Sequence, residues 1–394
     1  MADKMRIHPG IYLLSLTAFA IGVAEFIVVG VLNSIAIDLN VPRERAGSLV
    51  GLYALALALA LGTPVVTLLL ARFNKKPVLL ALIAIFSLGN LISATASTFD
   101  MLLAGRILTA VAHGSFFAIG ATVAAALAGK GNESRAIALM FAGLTLAMVI
   151  GVPLGSFIGN LAGWQWPFIA VLVVAIISLV TTAIMLPRPE VTPSADVKTQ
   201  LSALKNPHIL AMMGVTILGF GATFTAFTYV TPIMVQISGF TEQTASILLL
   251  IFGAATFIGN LGGGNAAARF GWNKTLLGNF SALALILAFL LVAMYQPWLM
   301  ATTLFAWGIL AFALSPALQT GMLSIAQAHT PKAVDFTSAL NIAAFNLGIA
   351  LGETAGGRLV SAGELAYTPA AGIAMVIMAI APLSYLTFTN RRTA

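Results

Sequence analysis

The feature that most constrains this chain is a series of apolar runs, each about 20 residues or longer and each ended by turn residues or charges. Twelve can be drawn, at 11–37, 46–70, 77–97, 100–127, 136–160, 166–186, 208–236, 244–268, 275–294, 298–327, 336–358 and 367–389. A bilayer core of about 30 Å is crossed by about 20 helical residues, so every run is long enough to span it. Hydrocarbon offers no hydrogen-bond partners to the backbone, which favours helices for such runs. Composition agrees: 60% of the 394 residues are hydrophobic and 8% are charged, with a mean hydropathy of +1.01. That is outside the range of soluble globular domains. The expectation is an all-α membrane protein with twelve transmembrane helices.

The net charge of +7 does not point to nucleic acid, because the basic residues stand singly between apolar runs rather than in one patch with aromatics. Topology explains them better. With a cytoplasmic N-terminus, the inside segments carry Lys4, Arg6, Arg72, Lys75, Lys76, Lys130, Arg135, Arg188, Lys198, Lys205, Arg269, Lys274, Lys332, Arg391 and Arg392, while the outside carries only Arg43, Arg45 and Arg358. The positive-inside rule therefore places both termini in the cytoplasm. Lys4 and Arg6 precede a run too long for a signal-peptide core, so the first run is read as a retained span. The chain has no cysteine, which excludes disulfides, thiolate metal sites and cysteine nucleophiles.

Internal similarity divides the chain in two. Ala71-Arg72-Phe73 after the second run returns as Ala268-Arg269-Phe270 after the eighth, and Gly151, Gly155 and Gly159 return as Gly348, Gly352 and Gly356, both at an offset of 197 residues. Small residues every four positions let membrane helices approach closely, which accounts for the glycines themselves; the shared offset argues for duplication. The expected organisation is two pseudo-symmetric six-helix bundles, 1–187 and 207–394, joined by a Pro- and charge-rich cytoplasmic linker at 188–206. Parallel repeats of this kind are a transporter architecture, with substrate and ion sites near the midplane.

Several motifs in order carry a family resemblance. They are Ala24-Glu25-Phe26; Gly62-Thr63-Pro64 with Arg72, Lys75 and Lys76; Arg106 with His113-Gly114-Ser115-Phe116-Phe117; Gly151, Pro153 and Gly155 with Gly163-Trp164; and Asn341 with Asn346-Leu347-Gly348. Together they resemble the major facilitator superfamily over essentially the whole chain, and more narrowly its bacterial drug- and sugar-efflux antiporters. The resemblance implies a monomeric multi-pass carrier of the bacterial cytoplasmic (inner) membrane, working with protons, the lipid bilayer and a small-molecule substrate. It also implies that Arg72, Lys75, Lys76, Gly151, Pro153, Gly155, Gly348 and Gly352 serve packing and conformational change. The chain departs from the family in the loop after the second span, where Thr67, Ala71 and Asn74 replace the usual Gly, Asp and Gly. The acidic partner of that loop is missing, and Ala268 repeats the omission.

Apart from Asp100 at the first position of its run, Glu25 and Glu353 are the acids that fall within spans. A carboxylate in hydrocarbon is costly, so it faces a packed interior or a wet cavity and marks a functional site by default. In the fourth span Arg106 and His113 are seven residues apart, close to two helical turns, and so share a face. Snorkelling to headgroups is the structural alternative for Arg106, and a neutral interhelical hydrogen bond is the alternative for His113. The family architecture lines its cavity with the first and fourth spans of each half, and its fourth-span arginine assists proton transfer. The resulting expectation is that Glu25 binds the transported proton, Arg106 tunes its affinity, and His113 relays the proton or contacts substrate. Glu353 lies near the outer end of its span and is a secondary candidate.

The second half offers a surface for substrate. Phe220, Phe224, Phe227 and Thr231 fall in one stripe of the seventh span, and Phe312, Ser315 and Gln319 share a face of the tenth beside Pro316. Aromatic faces with a few hydroxyl and amide groups suit neutral or amphipathic solutes such as sugars, nucleosides or drugs. No metal-ligand, paired-carboxylate or phosphate-loop motif accompanies the four scattered histidines, so neither an enzyme nor a cofactor is expected; the proton gradient would supply the coupling. An uncoupled facilitator, an importer or a channel is the alternative.

Overall fold

The computed structural model describes residues 8–42, 45–47, 49, 52–53, 57, 63–70, 72–187 and 197–390. Lys4, Arg6, Arg43, Ala71, Arg188, Arg391 and Arg392 lie outside these, as do much of the second predicted span and the first part of the predicted linker, 188–196. The described chain is helical throughout, without a strand. Its helices are α1 (Pro9–Asp38), α2 (Thr63–Leu70), α3 (Lys75–Ala94), α4 (Phe99–Ala128), α5 (Glu133–Ala162) and α6 (Gln165–Met185). They continue with α7 (Pro207–Ile237), α8 (Glu242–Phe270), α9 (Trp272–Ala293), α10 (Pro297–His329), α11 (Val334–Ser361) and α12 (Thr368–Asn390). Eleven helices among the described residues are long and apolar enough to cross a membrane; α2 is the described end of the remaining predicted span.

The chain forms two compact units. One holds α1–α6 through Gln200 together with Lys332–Ala343, the start of α11; the other holds Leu201–Pro331 and Ala344 onward. Within each unit the repeated glycines perform the same task. On α5, a methyl group at Gly155 would lie 2.6 Å from Ile27 Cδ1 of α1, and Gly151 and Gly159 meet Val23 and Val31 in the same way. On α11, a methyl group at Gly348 would lie 2.5 Å from the Ile217 carbonyl oxygen of α7, with Gly352 against Gly221 and Gly356 against Thr225. On α11 glycine is required because the facing backbone leaves no room for a Cβ, while on α5 the neighbours are side-chain methyl groups that would have to shift.

Proline shapes two helices further. Pro153 lacks an N–H and its ring crowds the carbonyl four residues back, and the preceding stretch Ala147–Gly151 winds as a π turn. At the same repeat position α11 carries Ala350 and stays α-helical. In α7, Pro232 follows a break at Thr228–Tyr229 and precedes the π turn Ile233–Ile237, so this end of the helix departs from regular α geometry.

Candidate functional site: a buried guanidinium and an aromatic core

The first unit brings Glu25, Arg106 and His113 into one neighbourhood. Arg106 is only 1% exposed, which rules out snorkelling. Its guanidinium reaches across to α1, where Nη1 donates to the Ala24 carbonyl and Nη2 donates to the Glu25 carbonyl at 3.1 Å. The contact is to the backbone of Glu25, whose own side chain is half-buried. Arg106 Nε is buried with no partner, so one donor of the fork is unused.

Tyr53, in the second span, completes the group. The guanidinium carbon sits 4.0 Å from the centre of the Tyr53 ring, a cation–π contact that compensates part of the cost of burying the charge. The Tyr53 hydroxyl is 2.9 Å from His113 Nδ1, and the His113 ring lies 5.1 Å from that of Phe117. Glu25, Arg106, Tyr53 and His113 thus come together in the interior of the first unit. Sequence reasoning missed Tyr53, because an uncharged aromatic inside an apolar run carries no signal of its own.

The second unit replaces charge with rings. Phe220 stands edge-to-face with Phe312 at 6.3 Å and with Phe345 at 4.4 Å, and it stacks near Phe224 at 6.3 Å. Phe227 stacks on Phe252 at 4.7 Å, and both approach Trp307 edge-on. The predicted phenylalanines of α7 and α10 therefore belong to one aromatic cluster, extended by Trp307 of α10 and by Phe252 and Phe345 from α8 and α11. Ser315 and Gln319 are buried on α10, and Thr231 is half-buried past the break in α7. Trp307 Nε1 is buried without a partner, a polar edge within the rings. Glu353 joins α11 to the α7 break: Thr228 Oγ1 donates to its carboxylate at 3.3 Å, and the Tyr229 hydroxyl donates to its carbonyl at 3.0 Å.

With this arrangement in place, the similarity to known proteins is decisive. The family model described as Major Facilitator Superfamily matches residues 14–352. The chain belongs to the Major Facilitator Superfamily. Among its superfamily relatives, the uncharacterized MFS-type transporter YtbD of Bacillus subtilis is 40% identical over 96% of this chain and 95% of that protein. The inner membrane transport protein YdhP of Escherichia coli strain K12 is 37% identical over 91% and 90%. A probable sugar efflux transporter of Pasteurella multocida is 29% identical over 96% and 92%. The outward conformation of the superfamily transporter FucP superposes with a TM-score of 0.79 at 14% identity, covering 95% of this chain and 98% of that one, which shows the shared fold. The protein is a multi-pass membrane transporter of small molecules, not an enzyme.

Membership in the superfamily gives the departure at its basic loop a structural answer. Lys75 of that loop meets an acid at the start of α11: Lys75 Nζ lies 3.0 Å from Asp335 Oδ1 and donates to Thr122 Oγ1 at 3.1 Å, while Thr122 donates to the same carboxylate at 2.7 Å. Lys76 Nζ donates to the Leu186 carbonyl at 2.6 Å, placing a cation at the C-terminus of α6 where the helix dipole favours one. Arg72 lies against the Phe73 ring at 5.0 Å.

Proposed function

We propose that this transporter exports small neutral or amphipathic solutes, such as sugars, nucleosides or drugs, in exchange for protons, by alternating access, from the cytoplasm of a bacterium with both termini inside. The observation that carries the reading is the buried Arg106, anchored on the backbone at Glu25 with Nε unused. A buried cation next to an intramembrane carboxylate can cycle a proton as the exposure of the carboxylate changes. Glu25 takes up the proton on its carboxylate and releases it to the other side. Tyr53 holds the guanidinium in place and links it to His113 through its hydroxyl.

The second unit is proposed to receive the solute. Phe220, Phe224, Phe227 and Phe312 offer ring faces, while Ser315, Gln319 and Thr231 offer polar groups at the edge. The printed description of the Pasteurella relative as a probable sugar efflux transporter favours sugars among the classes considered.

The experiment is flux in proteoliposomes with an imposed pH gradient, using solutes chosen by a susceptibility panel of drugs and sugars in an efflux-deficient host. The reading expects flux that saturates, follows the gradient and stops with a protonophore. Saturating flux indifferent to the gradient would replace it with an uncoupled facilitator.

A further inference from the structure

Away from both clusters, the second unit carries a cavity of about 430 Å³ walled by α8, α9 and α10. Its volume falls within the range of small-molecule sites, about 300–1,000 Å³. Gly259, Gly262, Gly263 and Ala266 form one wall, Gly278 and Ala282 another, and Ile309, Leu310 and Ala313 a third. The glycines are of two kinds. Gly259 and Gly263 press on the backbone of Ile309 and Ala313 and are explained by packing; a Cβ at Gly262 or Gly278 would meet nothing within 4 Å. Glycine inside a helix costs roughly 1 kcal/mol relative to alanine. Neither close packing nor a left-handed backbone asks for it at these two positions, and their effect is to keep the groove open.

The polar groups are graded along its length. Lys274 stands exposed at one end, Thr275 follows it, and Asn279 lies about 6 Å beyond Thr275 along α9 at 1.5 Å per residue. Asn279 is only 9% exposed, and neither its Oδ1 nor Thr275 Oγ1 has a partner. Buried polar atoms are ordinarily satisfied. On the same two helices Ile258, Leu277 and Leu285 are exposed, an apolar exterior that in a membrane transporter faces lipid.

We propose that this groove binds one anionic glycerophospholipid of the surrounding bilayer, its phosphate at Lys274, its ester region at Thr275 and Asn279, and an acyl chain along the glycine wall. The order of groups matches the order within such a lipid: anionic phosphate, then ester oxygens, then hydrocarbon. Thr275 and Asn279 line the groove, and each side chain carries a donor that a rotation toward the groove would bring to an ester carbonyl. Basic pockets between membrane helices are a recurrent form of anionic headgroup site.

The test is native mass spectrometry of the purified full-length protein equilibrated with equal amounts of phosphatidylglycerol and phosphatidylcholine. One lysine at a headgroup gives an expected preference of about fivefold for phosphatidylglycerol. Lys274→Gln should bring the ratio to about one, and Gly278→Leu, whose Cβ has open space and whose side chain would fill the groove, should remove the bound lipid. Gly262→Leu fills it from the opposite wall and serves if Gly278→Leu does not fold. Equal retention of the two lipids by the unmodified protein, or an unchanged preference in both Lys274→Gln and a filled variant, would overturn the proposal.

Discussion

At corresponding positions the two halves of the chain carry opposite chemistry. Where α4 buries Arg106, the 197-residue offset places Thr303 on α10, and where α1 carries Glu25, α7 carries Ala222. The Thr303 hydroxyl is buried without a partner, a cost of about 1–3 kcal/mol. Arg106 instead has two backbone carbonyls and an aromatic face. Duplication supplied one helical plan with one set of glycine contacts, and the interior of each copy then diverged. The proposed division of labour follows: the charged half handles the proton, and the aromatic half handles the solute.

The largest expected effect comes from breaking the charged half. Arg106→Ala should lower gradient-driven transport by about 100-fold or more, close to 2.7 kcal/mol at 1.36 kcal/mol per decade. Arg106→Lys should recover little of it, because a single ammonium group cannot reproduce the planar fork across two carbonyls. Near-normal coupled transport in Arg106→Ala would dissolve the contrast between the halves.

In the aromatic half, Phe220→Ala should raise KM about tenfold and change the pattern of solutes accepted. The loss of ring pairs is worth about 0.5–1.5 kcal/mol each. The dependence on the pH gradient should survive, measured as flux against imposed gradient at saturating solute. A Phe220 variant that transports normally but ignores the gradient would move coupling into the wrong half.

Tyr53 sharpens the comparison within the first unit. Tyr53→Phe keeps the ring under Arg106 and loses only the hydrogen bond to His113, worth about 0.5–1.5 kcal/mol, so coupled transport should fall about threefold to tenfold. Tyr53→Leu also loses the cation–π contact and should fall further. Equal effects would mean that the ring contributes nothing to holding Arg106.

The smallest effect is expected at Lys75–Asp335, where both side chains are about one-fifth exposed. A pair this accessible contributes no more than about 1 kcal/mol, so Asp335→Asn should lower the melting temperature by only about 1–3 °C. The exchanged pair, Lys75→Asp with Asp335→Lys, should restore much of the loss, whereas a pair that stabilises nothing would leave both variants melting like the parent.

What was legible in the sequence divides along physical lines. Span length and the repeated glycines are local or periodic signals, and both survived into three dimensions: Gly155 packs on Ile27 and Gly348 on Ile217 as a small-residue face requires. Charges in apolar runs were also legible, because hydrocarbon makes each one an anomaly, and Arg106 and His113 share the face that their spacing implied. Partners that look ordinary in their own segment were hidden. Tyr53 reads as core, Asp335 reads as an acid at a helix start, and Phe345 and Trp307 gain meaning only from rings distant in sequence. The reading of Glu353 as interfacial or functional gave no hint of its bond to Thr228, since that contact depends on the break in α7.

The most direct test of the account is Glu25→Gln in proteoliposomes, with solute exchange at equal pH measured beside accumulation driven by a pH gradient. The account predicts that exchange persists, because the aromatic half is untouched, while gradient-driven accumulation is lost. Undiminished gradient-driven accumulation by this variant would contradict it.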